Sequence, residues 1–96
     1  MFRKHLAEDG GMIFVWPEDR PISMWMKNTL IPLDMLFVAH DGRISKIAAN
    51  AVPRDLTSLP SDGAIRAVVE IGGGEAARQN IKVGDRVLYE AFPVAP

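Results

Sequence analysis

Apolar residues recur in short runs or at every second position, the two patterns that predict β-strands. The segments with this character are 12–16, 22–27, 33–39, 43–49, 64–71 and 86–92. Segment 22–27 alternates regularly, so Met24 and Met26 are expected to fill the core rather than to bind copper. Segment 33–39 is apolar on both sides apart from Asp34, which is typical of a strand buried on two faces.

Turn-forming residues separate these segments. Residues 18–21 (Glu-Asp-Arg-Pro) are predicted to form a polar turn. Asp41-Gly42 predicts a tight hairpin turn, because Asp and Gly tolerate the positive φ angles that such a turn requires. The connection 50–63 contains two prolines and is long for a compact domain, so it is predicted to be mobile or part of a site.

Two short helices are predicted beside the strands, at residues 2–8 and 75–80. The first would end at Gly10-Gly11, since glycine suits a left-handed helix stop. The second follows Gly72-Gly73-Gly74, which is interpreted as a flexible joint, because no Lys-Ser or Lys-Thr pair follows to make a phosphate loop. The expected fold is mainly β: a small antiparallel sandwich or distorted barrel of five to six strands with one or two short helices.

Composition narrows the choice of partners. The 96 residues suffice for one domain, expected to span 1–96. Eleven Lys and Arg against twelve Asp and Glu, interspersed along the chain, give a net charge of −1, so nucleic acid is not an expected partner. No apolar run approaches the roughly 20 residues of a membrane span. Without cysteine and with two histidines, no metal site or cofactor is expected.

The motif Trp25-Met26-Lys27-Asn28-Thr29, followed by Pro32-Leu33-Asp34, resembles the DUF192 family of small bacterial and archaeal domains. Further matching segments are Met1-Phe2-Arg3, Gly11-Met12-Ile13-Phe14, Asp41-Gly42, Val69-Glu70 and Gly84-Asp85. The resemblance covers nearly the whole chain. It implies a compact, mainly β, sandwich-like domain and carries no assigned activity.

The same resemblance implies a location. Family members usually carry a further strand before the Met-Phe-Arg segment, and many follow a secretory signal peptide. The chain is therefore expected to be part of a longer precursor, without that strand and signal peptide, and to reside in the periplasm or elsewhere outside the cytoplasm. An unpaired sheet edge would then need a cover.

A polar cluster is predicted around the reversal between segments 22–27 and 33–39. If these segments pair as a hairpin with Lys27 opposite Asp34, Trp25 falls opposite Leu36 on the same face. Lys27 would hold an anionic or carbonyl group, Asp34 would orient it or act as a base, and Trp25 would stack on a ring. The candidate ligand-binding residues are Arg3, Trp25, Lys27, Asn28, Asp34 and Glu70.

A structural interpretation competes with this site, because perturbed charge networks are often purely structural. In it, Lys27 and Asn28 satisfy Asp34, and Glu70 pairs with a nearby arginine or turn amide.

Three functions stay open. The first is a non-enzymatic, exported binding or accessory module for a small polar ligand or a protein partner. The second is a hydrolase or lyase that uses Asp34 or Glu70 with Lys27. The third is a purely structural interaction domain, whose missing strand another chain supplies. The sequence decides neither catalysis nor the oligomeric state.

Overall fold

The computed structural model describes residues 3–6, 11–27 and 29–87, and all strands in this part of the chain belong to one sheet. The elements are β1 (Arg3–Leu6), β2 (Met12–Met24), β3 (Leu33–Val38), β4 (Ile44–Ala51), β5 (Leu59–Gly72) and α1 (Glu75–Arg78). Neighbouring strands are antiparallel, in the order β1-β2-β5-β3-β4. The predicted mainly β, antiparallel class is confirmed, with five strands in the described residues. No helix among these residues is long and apolar enough to cross a bilayer.

The predicted helix at residues 2–8 is wrong, because Arg3–Leu6 is strand β1 and pairs with the start of β2. A helix of seven residues gains little on its own, whereas an open strand edge offers a full ladder of backbone hydrogen bonds. The last predicted strand, 86–92, is described only at its start, where Arg86 forms an isolated bridge with Arg43. Residues 88–92 lie outside the described residues.

The predicted turn at residues 18–21 is also wrong, because β2 runs through it. Val15 lies opposite Ala67 and Arg20 opposite Ile65, so β2 holds extra residues against β5 and bulges there. A bulge bends a strand and leaves its extra residues unpaired, which suits a polar, proline-flanked segment. The chain therefore bends at these residues instead of reversing.

Lys46 of β4 shows how far the sheet curls. Its Nζ donates a hydrogen bond to the Pro60 carbonyl at the start of β5 and lies 2.7 Å from the Asp62 carboxylate. The same ammonium lies 5.6 Å from the centre of the Phe37 ring, which it covers. Strand β5 thus crosses the face of β4 as well as pairing with β3. This single curled sheet is closer to a distorted barrel than to two stacked sheets.

Strand β3 is buried on both faces, as predicted. Leu36 and Val38 pack on the face that α1 covers, which we call the helix face. Met35 and Phe37 pack on the opposite face, where Met26 joins them. The expectation that Met24 and Met26 fill the core is confirmed, since Met26 is almost completely buried and the half-buried Met24 packs against the same cluster.

The predicted hairpin at Asp41-Gly42 is confirmed and links β3 to β4, but the φ angle is positive at Gly42 alone and not at Asp41. Gly42 has a φ of 90°, and its N–H donates to the Ala39 carbonyl. At the other end of β3, the connection predicted at 50–63 is reduced to 52–58, because β4 extends to Ala51 and β5 begins at Leu59.

Gly73 lies where three segments meet at this second end of the sheet. Its N–H donates to the Pro32 carbonyl at 2.9 Å. A Cβ on Gly73 would lie 2.8 Å from the Pro32 Cβ and 3.0 Å from the Asn50 Oδ1. The close approach of the loop before β3, the end of β4 and the end of β5 therefore requires glycine here.

We expect Gly73→Ala to lower the free energy of unfolding by about 1–3 kcal/mol, because the added methyl overpacks this junction. Gly72→Ala is the matched control, since its Cβ would lie 3.4 Å from the Glu75 Cγ, an ordinary contact. Urea unfolding of both variants measures the difference. Equal effects would contradict the proposed crowding at Gly73.

Candidate functional site

Asp34 is completely buried near the start of β3, on the helix face. Its Oδ1 accepts hydrogen bonds from the backbone N–H groups of Asn50, at 2.8 Å, and Gly74, at 3.1 Å. Its Oδ2 accepts one from the N–H of Ala76, at 2.8 Å. A buried carboxylate must be satisfied by donors, and here main-chain groups of β4 and of the start of α1 supply them. Asp34 therefore ties these two elements to β3.

The predicted hairpin between residues 22–27 and 33–39 is wrong. Strand β2 pairs with β1 and β5, and β5 lies between β2 and β3. Asp34 consequently lies opposite Ile71 of β5 and not opposite Lys27. The competing structural interpretation fails for Lys27 as well, since backbone groups rather than its ammonium satisfy Asp34.

Glu70 and Asp34 point to opposite faces of the sheet. Glu70 lies opposite Met35, the residue after Asp34, and successive side chains of a strand alternate between faces. Glu70 is half-buried and engaged in interactions of its own. The hydrolase or lyase alternative is wrong in its paired-carboxylate form, because two carboxylates on separate faces cannot act on one bond.

Trp25 and Lys27 do come together, on the surface just beyond β2. The Lys27 Nζ lies 5.4 Å from the centre of the Trp25 ring, within the range of a cation–π contact. The Trp25 side chain is 54% exposed, whereas Met26 between the two is buried and anchors the segment. The aromatic and amine parts of the predicted cluster thus meet, without the acid.

Two predicted site residues are described only in part or not at all. For Arg3 the structure describes the backbone, which pairs with Val15. Asn28 lies outside the described residues.

A backbone hydrogen bond links the loop after β2 (residues 25–32) to the loop after β4 (residues 52–58). The Met26 N–H donates to the Asp55 carbonyl at 3.2 Å. The Asp55 carboxylate accepts the Thr57 N–H at 2.8 Å. This bond, with the Thr57 hydroxyl, holds the pKa of Asp55 below its usual value, so the carboxylate stays charged.

These two loops expose a cluster of large apolar side chains, which we call the apolar rim. Its members, with their exposed fractions, are Trp25 (54%), Leu30 (72%), Ile31 (60%), Val52 (61%) and Leu56 (63%). Among the described residues, the sixth exposed large hydrophobic, Val83 at 60%, lies on neither loop. Concentration of exposed apolar surface in one place is typical of interaction sites, whereas scattered exposed residues are normal.

Sequence reasoning found Trp25 and missed the other four members of the apolar rim. One signal was available, because the connection after β4 was predicted to be mobile or part of a site. A further signal lies in segments 25–32 and 52–58. Both carry large apolar residues beside prolines and outside any strand.

A second polar cluster lies on the surface at the far end of β3. Asp19 accepts a hydrogen bond from the Arg66 Nε at 2.9 Å, and its other oxygen lies 3.0 Å from the His40 Nδ1. The Arg66–Asp19 contact is an exposed ion pair, which contributes little to stability. In the described part of the chain, no three His, Asp or Glu side chains lie close enough to hold a metal ion.

These features define a small, mainly β domain with an exposed apolar surface at one end. It consists of a curled antiparallel sheet, a short helix whose first N–H groups bind a buried carboxylate, and the apolar rim. The chain belongs to the DUF192 family, described as Uncharacterized ACR, COG1430, whose model matches residues 1–89. Comparison with curated proteins finds no match.

Two solved structures are similar to this chain. One, from Novosphingobium aromaticivorans DSM 12444, is a protein of unknown function with 52% identity and a TM-score of 0.82, covering 93% of this chain and 64% of that one. The other is a proposed transcription regulator from Sinorhizobium meliloti 1021, with 45% identity and a TM-score of 0.80, covering 90% and 67%. This chain thus spans about two thirds of the length of each.

We expect Asp34→Asn to lower the free energy of unfolding by about 2–4 kcal/mol, because an amide nitrogen would face backbone donors inside the protein. Urea denaturation followed by circular dichroism measures this loss. Asp55→Asn makes the same chemical change on an exposed loop and should cost much less. A similar cost at both positions would show that Asp34 is not the structural tie.

Proposed function

We propose that this protein is a non-enzymatic binding module that recognises its partner through the apolar rim. One observation carries the proposal: five of the six exposed large hydrophobics in the described residues lie on two loops that hydrogen-bond to each other. Burying such side chains against a partner removes apolar area from water, at roughly 25 cal/mol per Å². The Trp25–Lys27 pair adds a polar and an aromatic contact to the same surface.

The two loops are held in place before any partner binds, and this supports the proposed role. The loop after β2 is held at Met26, whose side chain is buried and whose N–H is bonded to Asp55. It is held again at Pro32, whose carbonyl accepts the Gly73 N–H. Loops that are already fixed lose less conformational entropy when a partner binds, so more of the contact energy appears as affinity.

The chemistry of the molecule favours binding over the alternatives. Among the described residues, the hydrogen bonds that satisfy Asp34 all come from the backbone, which does not favour a role for this carboxylate as a base. The similar Sinorhizobium meliloti protein is described as a proposed transcription regulator. A net charge of −1 with interspersed signs does not favour contact with DNA phosphates in this chain.

We also propose that the domain works outside the cytoplasm, in the periplasm. Support comes from the family to which the chain belongs, because the resemblance to that family implies a secretory signal peptide in many members. The absence of cysteine is compatible with either redox environment and does not bear on the choice.

Site-specific photo-crosslinking in the native host tests the binding function. A photoreactive amino acid at Ile31 or Leu56 should give discrete adducts, because these side chains would touch the partner. Val83 is a matched control with the same exposed fraction as Ile31, 60%, and should give none above background. Equal adduct formation at all three positions would contradict a binding role for the apolar rim, and no adduct at any of them would contradict a protein partner.

Cell fractionation tests the location. The full-length product of the native gene, tagged at its C-terminus, should appear in the periplasmic fraction and be shorter than its precursor, because export removes the signal peptide. Recovery of the unprocessed product with cytoplasmic markers would contradict export and leave the binding function unaffected.

A further inference from the structure

We propose that the apolar rim binds the surface of an anionic lipid bilayer. This inference rests on the proposed binding function and names the chemistry of the partner. Three features of the two loops carry it: how far the apolar side chains protrude, which residue types they are, and which charges accompany them.

The apolar side chains of the rim are largely exposed to solvent. Leu30 is 72% exposed and Leu56 63%, in segments that are otherwise fixed by backbone hydrogen bonds. Protruding aliphatic side chains can enter the boundary between headgroups and acyl chains, which requires no complementary pocket in the partner. Trp25 adds an indole to this surface. Tryptophan is enriched at that boundary, because its ring is apolar and carries one polar N–H.

The two loops are neighbours at one end of the sheet. The loop after β2, which leads into β3, and the loop after β4 lie at the same end of the sheet. At this end Leu33 pairs with Ala51 and with Gly72. A flat surface can therefore reach both loops together. A protein partner would need a matching concave surface for each protruding side chain.

Two cations accompany the apolar rim, Lys27 on the first loop and Arg54 on the second; both are exposed. Among the described residues, neither forms an ion pair with a carboxylate, whereas Lys46, Arg66 and Arg78 all do.

The one carboxylate on the two loops, Asp55, is bonded to its own loop. The loops thus present a net positive charge next to apolar side chains, which complements an anionic membrane surface.

Vesicle binding tests the proposal with the full chain. The probes are vesicles of phosphatidylcholine alone and vesicles with about one third phosphatidylglycerol, a fully anionic lipid. The protein should co-sediment with the anionic vesicles, less so at high salt, because exposed charges are screened. Trp25 fluorescence should shift to the blue as the indole leaves water. The Trp25→Phe variant should lose that shift while still co-sedimenting.

Paired variants separate the two contributions. Leu30→Ser with Leu56→Ser should weaken partition into anionic vesicles by about tenfold or more, because it removes protruding apolar area. Lys27→Gln with Arg54→Gln should weaken it by about fivefold for each charge removed. Val83→Ser, at an exposed apolar site on neither loop, should leave the partition unchanged. Thermal unfolding should be similar for all of these variants, so a loss of binding is not a loss of fold.

The outcomes separate this proposal from the binding function itself. No vesicle binding, or binding that the leucine variants do not weaken, overturns the lipid assignment; equal binding to neutral vesicles overturns the charge argument. Protein adducts at Ile31 without vesicle binding would assign the rim to a protein partner and leave the binding function standing. A dimer that the leucine variants abolish would assign it to a second copy of the chain. Absence of adducts, vesicle binding and self-association alike would overturn both proposals.

Discussion

The buried carboxylate of Asp34 is the interaction on which one end of this molecule depends. Removing a carboxylate from water costs several kcal/mol of free energy. Too few hydrogen-bond donors would leave this desolvation cost uncompensated. Three backbone N–H groups meet the charge, from Asn50 at the end of β4 and from Gly74 and Ala76 at the start of α1. Because these segments are distant in sequence, one side chain fixes the relative position of three elements.

The position of the loops follows from this tie. With the end of β4 and the start of α1 held against β3, Gly73 comes within hydrogen-bond distance of Pro32. The loop before β3 is then fixed at its last residue, and the buried side chain of Met26 fixes it near its start. Leu30 and Ile31 lie between these two points, on a short and anchored segment, and their side chains are largely exposed.

Local features of the fold are predictable from the sequence, and pairings between distant segments are not. The turn at Asp41-Gly42 and the alternation in residues 22–27 depend on neighbouring residues, and both are present. The pairing of Asp34 is not predictable in this way, because β5 inserts between β2 and β3, and its donors are backbone groups that every sequence contains. Sequence reasoning correctly required partners for this acid and chose the wrong ones.

The apolar rim has no explanation within the fold. Leu30 and Leu56 are more than 60% exposed, so a polar side chain there would cost the core almost nothing. The loops are held instead by Met26, by Gly73 and by main-chain hydrogen bonds. Stability does not demand large apolar residues at the rim, and exposed apolar surface favours unwanted association. Their presence on two anchored loops therefore supports the proposed binding role.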